Sequence, residues 1–306
     1  MPGRKSAIAL ACAALAIGTA FAAPDGDPQR PQNTTVNSQA MADRALAAGK
    51  ALVPVEELII ADNAIQGGVL LGEIRGDIAQ LMLNGEPLKI AEDGRFMVAF
   101  NRDADSSALL TARFASGATE SQLISVAKRK WNIERVNLPR RKRTASASWQ
   151  RRRAPELEAI GAARAMDTGA EGWRQDFAWP AKGRISGMFG NQRIYAGTPG
   201  GYHTGIDIAA PTGTPIVAPA DGVVTLAADK PFSLEGNLLM LDHGMGLNSA
   251  FLHLSKIAVR KGDRVRKGQY IGNIGATGSA TGPHLHWSIK WGAARLDPIL
   301  LTGPMS

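Results

Sequence analysis

Cysteine and long apolar runs are both scarce in this chain of 306 residues. Cys12 is the only cysteine, so an intramolecular disulfide is excluded, and a structural metal site built mainly from thiolates is excluded with it. The longest apolar run, residues 7–17, is shorter than the ~20 residues that a membrane-spanning helix needs. Stability must therefore come from packed secondary structure, or from a metal site that uses no cysteine.

The first 23 residues have the three parts of a secretory signal peptide. Arg4 and Lys5 precede the apolar run, and small residues surround a cleavage position near Ala23. We therefore predict an exported protein, periplasmic or associated with the cell envelope, with no transmembrane segment after cleavage. An alternative is that Cys12 is a lipoprotein cysteine, but the apolar stretch continues past it.

A change of hydrophobic period marks the first domain of the mature chain. From residue 65 apolar residues alternate along the sequence, and the dipeptides Asn84-Gly85 and Asp93-Gly94 interrupt them. Such dipeptides between apolar runs are typical of tight hairpin turns, and Asp221-Gly222 in the C-terminal part is expected to form another. We predict a small β-sandwich domain at residues 65–137, with no catalytic group of its own.

The segments on either side of this domain have different compositions. Residues 24–64 are rich in polar residues and are predicted to be flexible, with one short helix at residues 40–48. Residues 138–176 are predicted to be a basic linker followed by a helix. That helix is expected to begin at Pro155, because proline is favoured in a first helical turn, and to end near Gly169.

Three of the five histidines lie in two short segments of the C-terminal part. Another, His243, is expected to end a strand before a Gly turn and is assigned no chemistry. His284 and His286 are two residues apart, so a strand would place both imidazoles on one face. His203 and Asp207 would be roughly 13 Å apart in a straight strand at ~3.3 Å per residue, and a bend at Gly205 would bring them together.

Imidazoles and a carboxylate in one cleft are the donor set of a catalytic zinc site. Such a site uses three protein ligands and keeps a fourth position for water. Zinc held in this way acidifies water and polarises a carbonyl group. The two segments therefore predict a Zn²⁺ centre.

Four motifs then occur in a fixed order. They are His-x-Gly-x-Asp at 203–207, Ala-Pro-x-Gly-Thr-Pro at 210–215, His-Leu-Ser at 253–255 and Thr-Gly-Pro-His-Leu-His at 281–286. Together they resemble the lysostaphin-like (LytM-type) zinc metalloendopeptidases, which cut peptide bonds in bacterial peptidoglycan. The resemblance covers about residues 180–303.

The resemblance implies a role for each motif residue. His203, Asp207 and His286 correspond to the metal ligands of the family, with Zn²⁺ as the cofactor. His253 and His284 correspond to its non-ligand catalytic histidines. The implied function is hydrolysis of peptide cross-links in peptidoglycan during cell-wall remodelling.

The resemblance also implies a fold for residues 177–303. We expect a two-layer antiparallel β-sheet peptidase domain of the duplicated hybrid motif type, so that the whole chain is mainly all-β with a short helical linker. The metal site would lie in a groove between a Gly-rich loop at 191–202 and a mobile wall at 272–283. Phe251 and Ser288 depart from the tyrosine and glutamate common in the family, which affects substrate contacts and the surroundings of the ligands rather than the ligands themselves.

Two other functions remain open alternatives. A non-catalytic LytM-type scaffold that activates a separate cell-wall amidase is one, although such members usually lack some site residues and all five are present here. A wall-binding protein with a structural metal is the other, although a closed structural zinc site normally has four ligands.

The net charge of +8 favours anionic partners. Because export is predicted, we expect the carboxylates of the cell wall or an anionic membrane surface, and no nucleic acid. Two basic runs, residues 140–143 and 151–153, have no acidic residue between them. They are interpreted as a solvated linker, with a docking patch for anionic envelope components as the alternative.

The remaining open points are the bond that is cut and the role of the sandwich. We favour direct D-amino-acid cross-links over polyglycine bridges, because no bridge-targeting module is recognisable. The sandwich could fold over the groove or tether the enzyme to the wall. We favour tethering, because residues 65–137 contain no His or Cys to act as a fourth zinc ligand.

Overall fold

The computed structural model describes residues 58–60, 64–139 and 145–305. The predicted signal peptide with Cys12, the predicted helix at 40–48 and the basic run at 140–143 lie outside the described residues. In the described part, strands dominate and the fold class is mainly all-β, as predicted. No helix in these ranges is both long enough and apolar enough to cross a bilayer.

The N-terminal domain is a sandwich of two sheets. Its strands are β1 (Leu58–Ile60), β2 (Ala64–Ile65), β3 (Val69–Ile74), β4 (Ile78–Leu83), β5 (Glu86–Pro87), β6 (Arg95–Ala99), β7 (Ser107–Phe114) and β8 (Thr119–Ala127). One sheet has the order β1-β3-β6 and the other β2-β8-β7-β4-β5. The two sheets share one apolar core that includes Leu81, Phe96 and Leu110.

The hairpin predicted at Asn84-Gly85 is confirmed. Asn84 and Gly85 have φ values of 50° and 86° and join β4 to β5. Two consecutive positive φ values are the requirement of the tight turn whose twist matches that of the strands.

The second domain contains the other strands. They are β9 (Ile133–Val136), β10 (Arg184–Gly187), β11 (Gln192–Tyr195), β12 (Thr198–Tyr202), β13 (Ile206–Ala209), β14 (Pro215–Val217), β15 (Gly222–Ala227), β16 (Asn237–Asp242), β17 (Leu247–Leu254), β18 (Lys256–Ile257), β19 (Arg264–Val265), β20 (Tyr270–Asn273), β21 (His284–Trp291) and β22 (Ala294–Leu296). The helical elements are α1 (Ala147–Ala165), a 3-10 turn (Gly172–Arg174) and α2 (Ile299–Thr302).

Two layers of sheet form this domain, and a third sheet has the order β12-β11-β9. The large sheet has the order β10-β13-β21-β17-β16-β15-β19, with β22 on β21, and the small one has the order β14-β20-β18. The core includes Phe251 and Trp287, which are fully buried and whose rings stack with centroids 6.5 Å apart. Phe251 therefore departs from the family's tyrosine at a position that packs the core and does not face substrate.

The two domains share this core. Met97 and Ala99 of β6 belong to the same buried cluster as the large sheet of the second domain. Strand β9, predicted as part of the sandwich, instead pairs in parallel with β11 of the second domain. Local alternation predicted the strand, but the choice of partner depends on contacts far apart in the sequence.

The helix of the linker begins earlier than predicted. Helix α1 starts at Ala147, with the Ser146 side chain as its N-cap, and Pro155 lies inside it. The prediction from Pro155 was wrong because the cap and the ion pair of Arg153 with Glu235 hold the preceding turns. The basic run at 151–153 lies within this helix and is not an irregular linker. Arg151 and Arg152 are exposed, whereas Arg153 is buried.

Two further local predictions are corrected. Residues 191–202 are not a loop, because β11 and β12 pair there as an antiparallel hairpin. Asp221-Gly222 does not turn a hairpin, because the strands on either side of it, β14 and β15, lie in different sheets.

Candidate metal centre and active site

Two neighbouring strands of the large sheet position the centre of the site. In the β13–β21 pair, Asp207 lies directly opposite His286, and Ala209 lies opposite His284. Leu285 is fully buried between the two histidines. The alternation thus places His284, His286 and Asp207 on the open face of the sheet, as the spacing predicted.

The turn before β13 brings His203 to the same place. A Cβ atom at Gly205 would lie 2.4 Å from the Trp287 carbonyl oxygen and 2.8 Å from His286 Nε2. Only glycine allows this close approach, so the predicted bend at Gly205 depends on space rather than on a positive φ.

Three ligand atoms converge at this point. His203 Nε2 lies 3.1 Å from both Asp207 Oδ1 and His286 Nδ1, and these two atoms are 2.8 Å apart. An ion ~2.0–2.2 Å from each ligand in tetrahedral geometry separates ligand atoms by roughly 3.3 Å. In the described part of the chain, these three residues form the group able to hold a metal ion.

Hydrogen bonding fixes which nitrogen of His203 faces the centre. Its Nδ1–H donates to the Met188 carbonyl oxygen at 3.0 Å, and a carbonyl can only accept, so the Nε2 lone pair points at Asp207. Metal-binding histidines commonly donate their other ring N–H in this way. The convergence of lone pairs needs a proton or a metal cation at its centre, and the donor set fits Zn²⁺.

Electrostatics favour an ionised carboxylate between imidazoles. Burial acts to raise the pKa of Asp207, but hydrogen bonds with His203 and His286 outweigh it and hold that pKa well below its usual range. Burial lowers the pKa of His286 despite its bond to Asp207. Burial also acts to lower the pKa of His203, but there the bond to Asp207 prevails and raises it. The site therefore combines one negative charge with nitrogen ligands that a cation can use.

His253 and His284 stand beside this group with a different orientation. The Nδ1–H of His253 donates to the Thr277 carbonyl oxygen, and that of His284 to the Gly282 carbonyl oxygen, each at 2.8 Å. Their ring centroids are 4.8 Å apart. In the neutral imidazole of each residue, the Nε2 lone pair therefore faces the groove. Burial lowers the pKa of His253.

An unusual backbone conformation at His253 turns its side chain toward the groove. Leu252 is the residue of β17 that pairs with His286, so a regular strand would turn His253 to the opposite face. His253 instead has φ 65°, in the left-handed region that residues other than glycine rarely adopt. Backbone strain of this kind costs about 1–3 kcal/mol and is found at functional sites.

The wall on the His253 side is tied to its neighbours. Besides the Thr277 carbonyl, which holds His253, the Thr277 hydroxyl donates to the Leu254 carbonyl oxygen at 3.0 Å. The Ser279 amide donates to the Leu234 carbonyl oxygen at 2.9 Å. These bonds secure the segment that was predicted as the mobile wall at 272–283.

His243 lies outside the site, as predicted. It is fully buried, bonded to the Asp221 carbonyl oxygen and the Ser249 hydroxyl, both at 2.8 Å. Burial lowers its pKa to about 4. His243 is therefore a neutral core residue.

The sandwich lies beside the groove. The side chains of His203 and Asp207 remain 24% and 23% exposed, so the sandwich does not cover them. Sequence reasoning missed Asn101, Arg102 and Trp131, which reach from the sandwich side to the hairpin before His203. No local pattern marks them, because their partners lie far along the chain.

Comparison with known proteins agrees with this geometry. Residues 201–298 match the model of Peptidase family M23. The peptidoglycan DD-endopeptidase ShyA of Vibrio cholerae is 41% identical over 116 residues, which are 38% of this chain and 26% of that protein. The DD-carboxypeptidase/endopeptidase Mpg of Neisseria meningitidis is 42% identical over 102 residues, which are 33% of this chain and 23% of that protein. The chain thus spans only about a quarter of the length of these relatives.

One solved structure is similar over both domains. It is the crystal structure of a Pseudomonas aeruginosa protein assigned to peptidase M23, with a TM-score of 0.60 and 29% identity, covering 80% of this chain and 97% of the other. This coverage exceeds the M23 segment, so the likeness extends into the preceding domain. From its motifs, the geometry of its site and these relatives, the chain carries a peptidase domain of family M23, the lysostaphin-like (LytM-type) family.

Proposed function

We propose that this protein is a zinc-dependent endopeptidase that hydrolyses peptide cross-links in bacterial peptidoglycan. The observation that carries the proposal is that four imidazoles in the site fall into two pairs with different orientations. His203 and His286 converge with Asp207 on one point, whereas His253 and His284 present Nε2 beside it.

The three convergent residues would hold the metal. Zinc bound by His203, Asp207 and His286 would supply Lewis acidity toward a scissile carbonyl and would lower the pKa of a bound water. Asp207 contributes the charge that makes a neutral-nitrogen site attractive to a cation, and the Met188 carbonyl keeps His203 in the tautomer that binds it.

The two other histidines would handle the proton and the developing negative charge. Their Nδ1 protons are committed to carbonyl oxygens, so each Nε2 can accept a proton from the attacking water. Once protonated, the same Nε2–H can donate a hydrogen bond to the tetrahedral oxyanion or to the leaving amine. The lowered pKa of His253 suits a group that must begin the reaction unprotonated.

The names of the relatives support the substrate class. Two of the relatives aligned with the M23 segment are a DD-endopeptidase and a DD-carboxypeptidase/endopeptidase, which favours direct D-amino-acid cross-links over polyglycine bridges. The predicted signal peptide favours action in the periplasm or cell envelope. Anionic envelope components remain proposed partners of the basic surface.

Metal content and activity measured on the same variants test the proposal. We expect about one zinc per chain in the parent protein and little in His203→Ala, Asp207→Ala and His286→Ala. His253→Ala and His284→Ala should keep zinc and lose hydrolysis of purified peptidoglycan. Asp229→Ala is the matched control, because Asp229 is an exposed carboxylate that is neither a predicted ligand nor a predicted catalytic residue.

Two results would contradict the assignment. Zinc content unchanged in all three ligand variants would show that the metal is held elsewhere. Parental activity in His253→Ala or His284→Ala would remove that residue from the mechanism.

A protein that releases no product itself but stimulates an added amidase would be a scaffold instead.

A further inference from the structure

We propose that Arg102, a residue of the N-terminal domain, is a positioning residue for the metal site. It would hold the chain segment that presents His203, so that the sandwich completes the site rather than serving only to tether or cover it. This inference rests on the proposed zinc site.

Arg102 is inserted between the two domains. It is 4% exposed, although it carries a permanent charge. Its Nε donates to the Gly190 carbonyl oxygen at 2.9 Å and its Nη2 to Gln192 Oε1 at 3.1 Å, while Nη1 pairs with Asp103 at 2.6 Å. Two of the three guanidinium nitrogens therefore donate hydrogen bonds to residues of the second domain.

Aromatic rings enclose the guanidinium. Its central carbon lies 4.9 Å from the centre of the Tyr202 ring and 5.1 Å from that of Trp131. A cation held over ring faces away from water is stabilised, and arginine suits such a site better than lysine because its planar group both stacks and donates several hydrogen bonds. Tyr202 immediately precedes His203 in the chain.

Gly190, one of the two residues of the second domain that Arg102 holds, and its neighbour Asn191 are bonded directly to the His203 backbone. The Gly190 amide donates to the His203 carbonyl oxygen, and the His203 amide donates to the Asn191 carbonyl oxygen, each at 2.8 Å. Gln192, whose Oε1 accepts from Arg102, donates through Nε2 to the Gly200 carbonyl oxygen at 2.8 Å and so braces the hairpin. One hydrogen bond therefore separates Arg102's partner Gly190 from the backbone of a predicted metal ligand.

The contact between Gly190 and the Trp131 ring is closely packed. Gly190 has φ +81°, and a Cβ atom there would lie 2.2 Å from the Trp131 ring. The Tyr202 hydroxyl also donates to Asn101 Oδ1 at 3.0 Å. Strand β9 extends the contact by pairing in parallel with β11. The segment before His203 is thus held at Gly190, along β11 and at Tyr202.

Loss of Arg102 should therefore loosen the ligand without removing it. The Gly190 carbonyl and the Gln192 side chain would lose their buried donors. Removing groups that orient metal ligands typically lowers metal affinity about 10- to 100-fold. Because Arg102 acts through the backbone, we expect about a tenfold loss.

The test compares Zn²⁺ affinity in the full-length mature protein by competition with a chromophoric chelator. Arg102→Gln should bind zinc about tenfold more weakly, and Arg102→Lys should not restore the parent value, because an ammonium cannot reproduce the fork of hydrogen bonds. The absorption spectrum of the Co²⁺-loaded protein should also change, since it reports ligand geometry.

The matched control is Arg129→Gln. Arg129 belongs to the same interface, pairs with Asp297 at 2.7 Å and lies over the same Trp131 ring. Among the residues that the structure describes, it makes no hydrogen bond or ion pair with the hairpin that precedes His203. It should keep the parent zinc affinity within about twofold. Gln192→Leu supplies a second route, because it removes an acceptor of Arg102 while leaving the sandwich unchanged, and it should weaken zinc binding several-fold.

Thermal unfolding of the metal-free variants checks that each one is folded. Parent-like zinc affinity and cobalt spectrum in folded Arg102→Gln would overturn the proposal, and so would an equal loss in Arg129→Gln, which would indicate a general effect of domain packing. If Arg102→Gln does not fold, parent-like affinity in Gln192→Leu overturns it. A parent protein without zinc affinity would overturn the proposed function as well, so the two failures are distinguishable.

Discussion

Replacing Arg153 with methionine should destabilise the catalytic domain strongly, because it would leave a carboxylate buried without its partner. Arg153 lies on α1 and donates to both oxygens of Glu235, at 2.5 and 2.6 Å, and to Glu156 at 2.9 Å. The side chains of Arg153 and Glu235 are 9% and 15% exposed. Solvent therefore screens this pair far less than a surface ion pair.

The size of the destabilisation depends on which hydrogen-bond donors Glu156 and Glu235 keep after Arg153 is replaced. Glu156 keeps the Ser233 amide and hydroxyl as donors, at 2.8 and 2.7 Å. The Glu235 carboxylate, by contrast, is bonded to Arg153 alone among the described residues. Breaking a buried ion pair by removing one member costs about 3–5 kcal/mol. Because only one carboxylate is left uncompensated, we expect a loss near 3 kcal/mol, and a double variant with Glu235→Gln should recover part of it.

Urea unfolding of the metal-free protein measures this loss directly. Arg152→Met is the matched control, since Arg152 is the exposed neighbour on the same helix, and it should change the free energy of unfolding by less than about 0.5 kcal/mol. The Glu235 carbonyl oxygen also accepts from the His253 amide at 2.8 Å, so hydrolysis should fall with stability. An Arg153→Met protein as stable as Arg152→Met would refute the reasoning.

Two further predictions concern pH and space. His243 is buried with a pKa of about 4, compared with ~6.5 when unfolded, so the unfolded chain alone takes up this proton as pH falls from 6.5 to 4. The stability present above pH 6.5 should thus decline by up to about 3 kcal/mol across that window. The His243→Gln variant should show a smaller decline in urea unfolding curves. Equal declines in the two proteins would contradict this. Gly205→Ala should weaken zinc binding at least tenfold in the chelator assay, because its Cβ would meet the Trp287 carbonyl and His286. Gly161→Ala is the control for a glycine substitution, because Gly161 has open space around its Cβ and no positive φ. Equal zinc affinities in the two variants would show that the spacing is not required.

Local pattern accounts for much of the fold and for the residues brought together at the centre. The Asn84-Gly85 turn follows from the backbone freedom of two residues, and the shared face of His284 and His286 follows from the period of a strand. Asp207 meets them because β13 and β21 pair in the matching register. Each of these inferences needs only short-range geometry, or a motif whose presence already implies how the two strands pair.

The remaining features depend on contacts across the chain. Pro155 suggested a helix start, but the Ser146 cap and the Arg153–Glu235 pair, separated by 82 positions, extend the helix toward its N-terminus. Arg102 looks like an ordinary surface charge in the sequence, and its partner Gly190 is 88 positions away. Burial of a charge is decided by the partners it finds, which composition and periodicity do not reveal.

Mass spectrometry of muropeptides after digestion of purified sacculi tests the central claim most directly. The zinc-loaded parent protein should convert cross-linked dimers into monomers, and His284→Ala, with its zinc retained, should leave the dimers intact. Release of whole stem peptides from the glycan would instead identify an amidase. Dimers that persist with the zinc-loaded parent protein would contradict the proposed hydrolysis of cross-links.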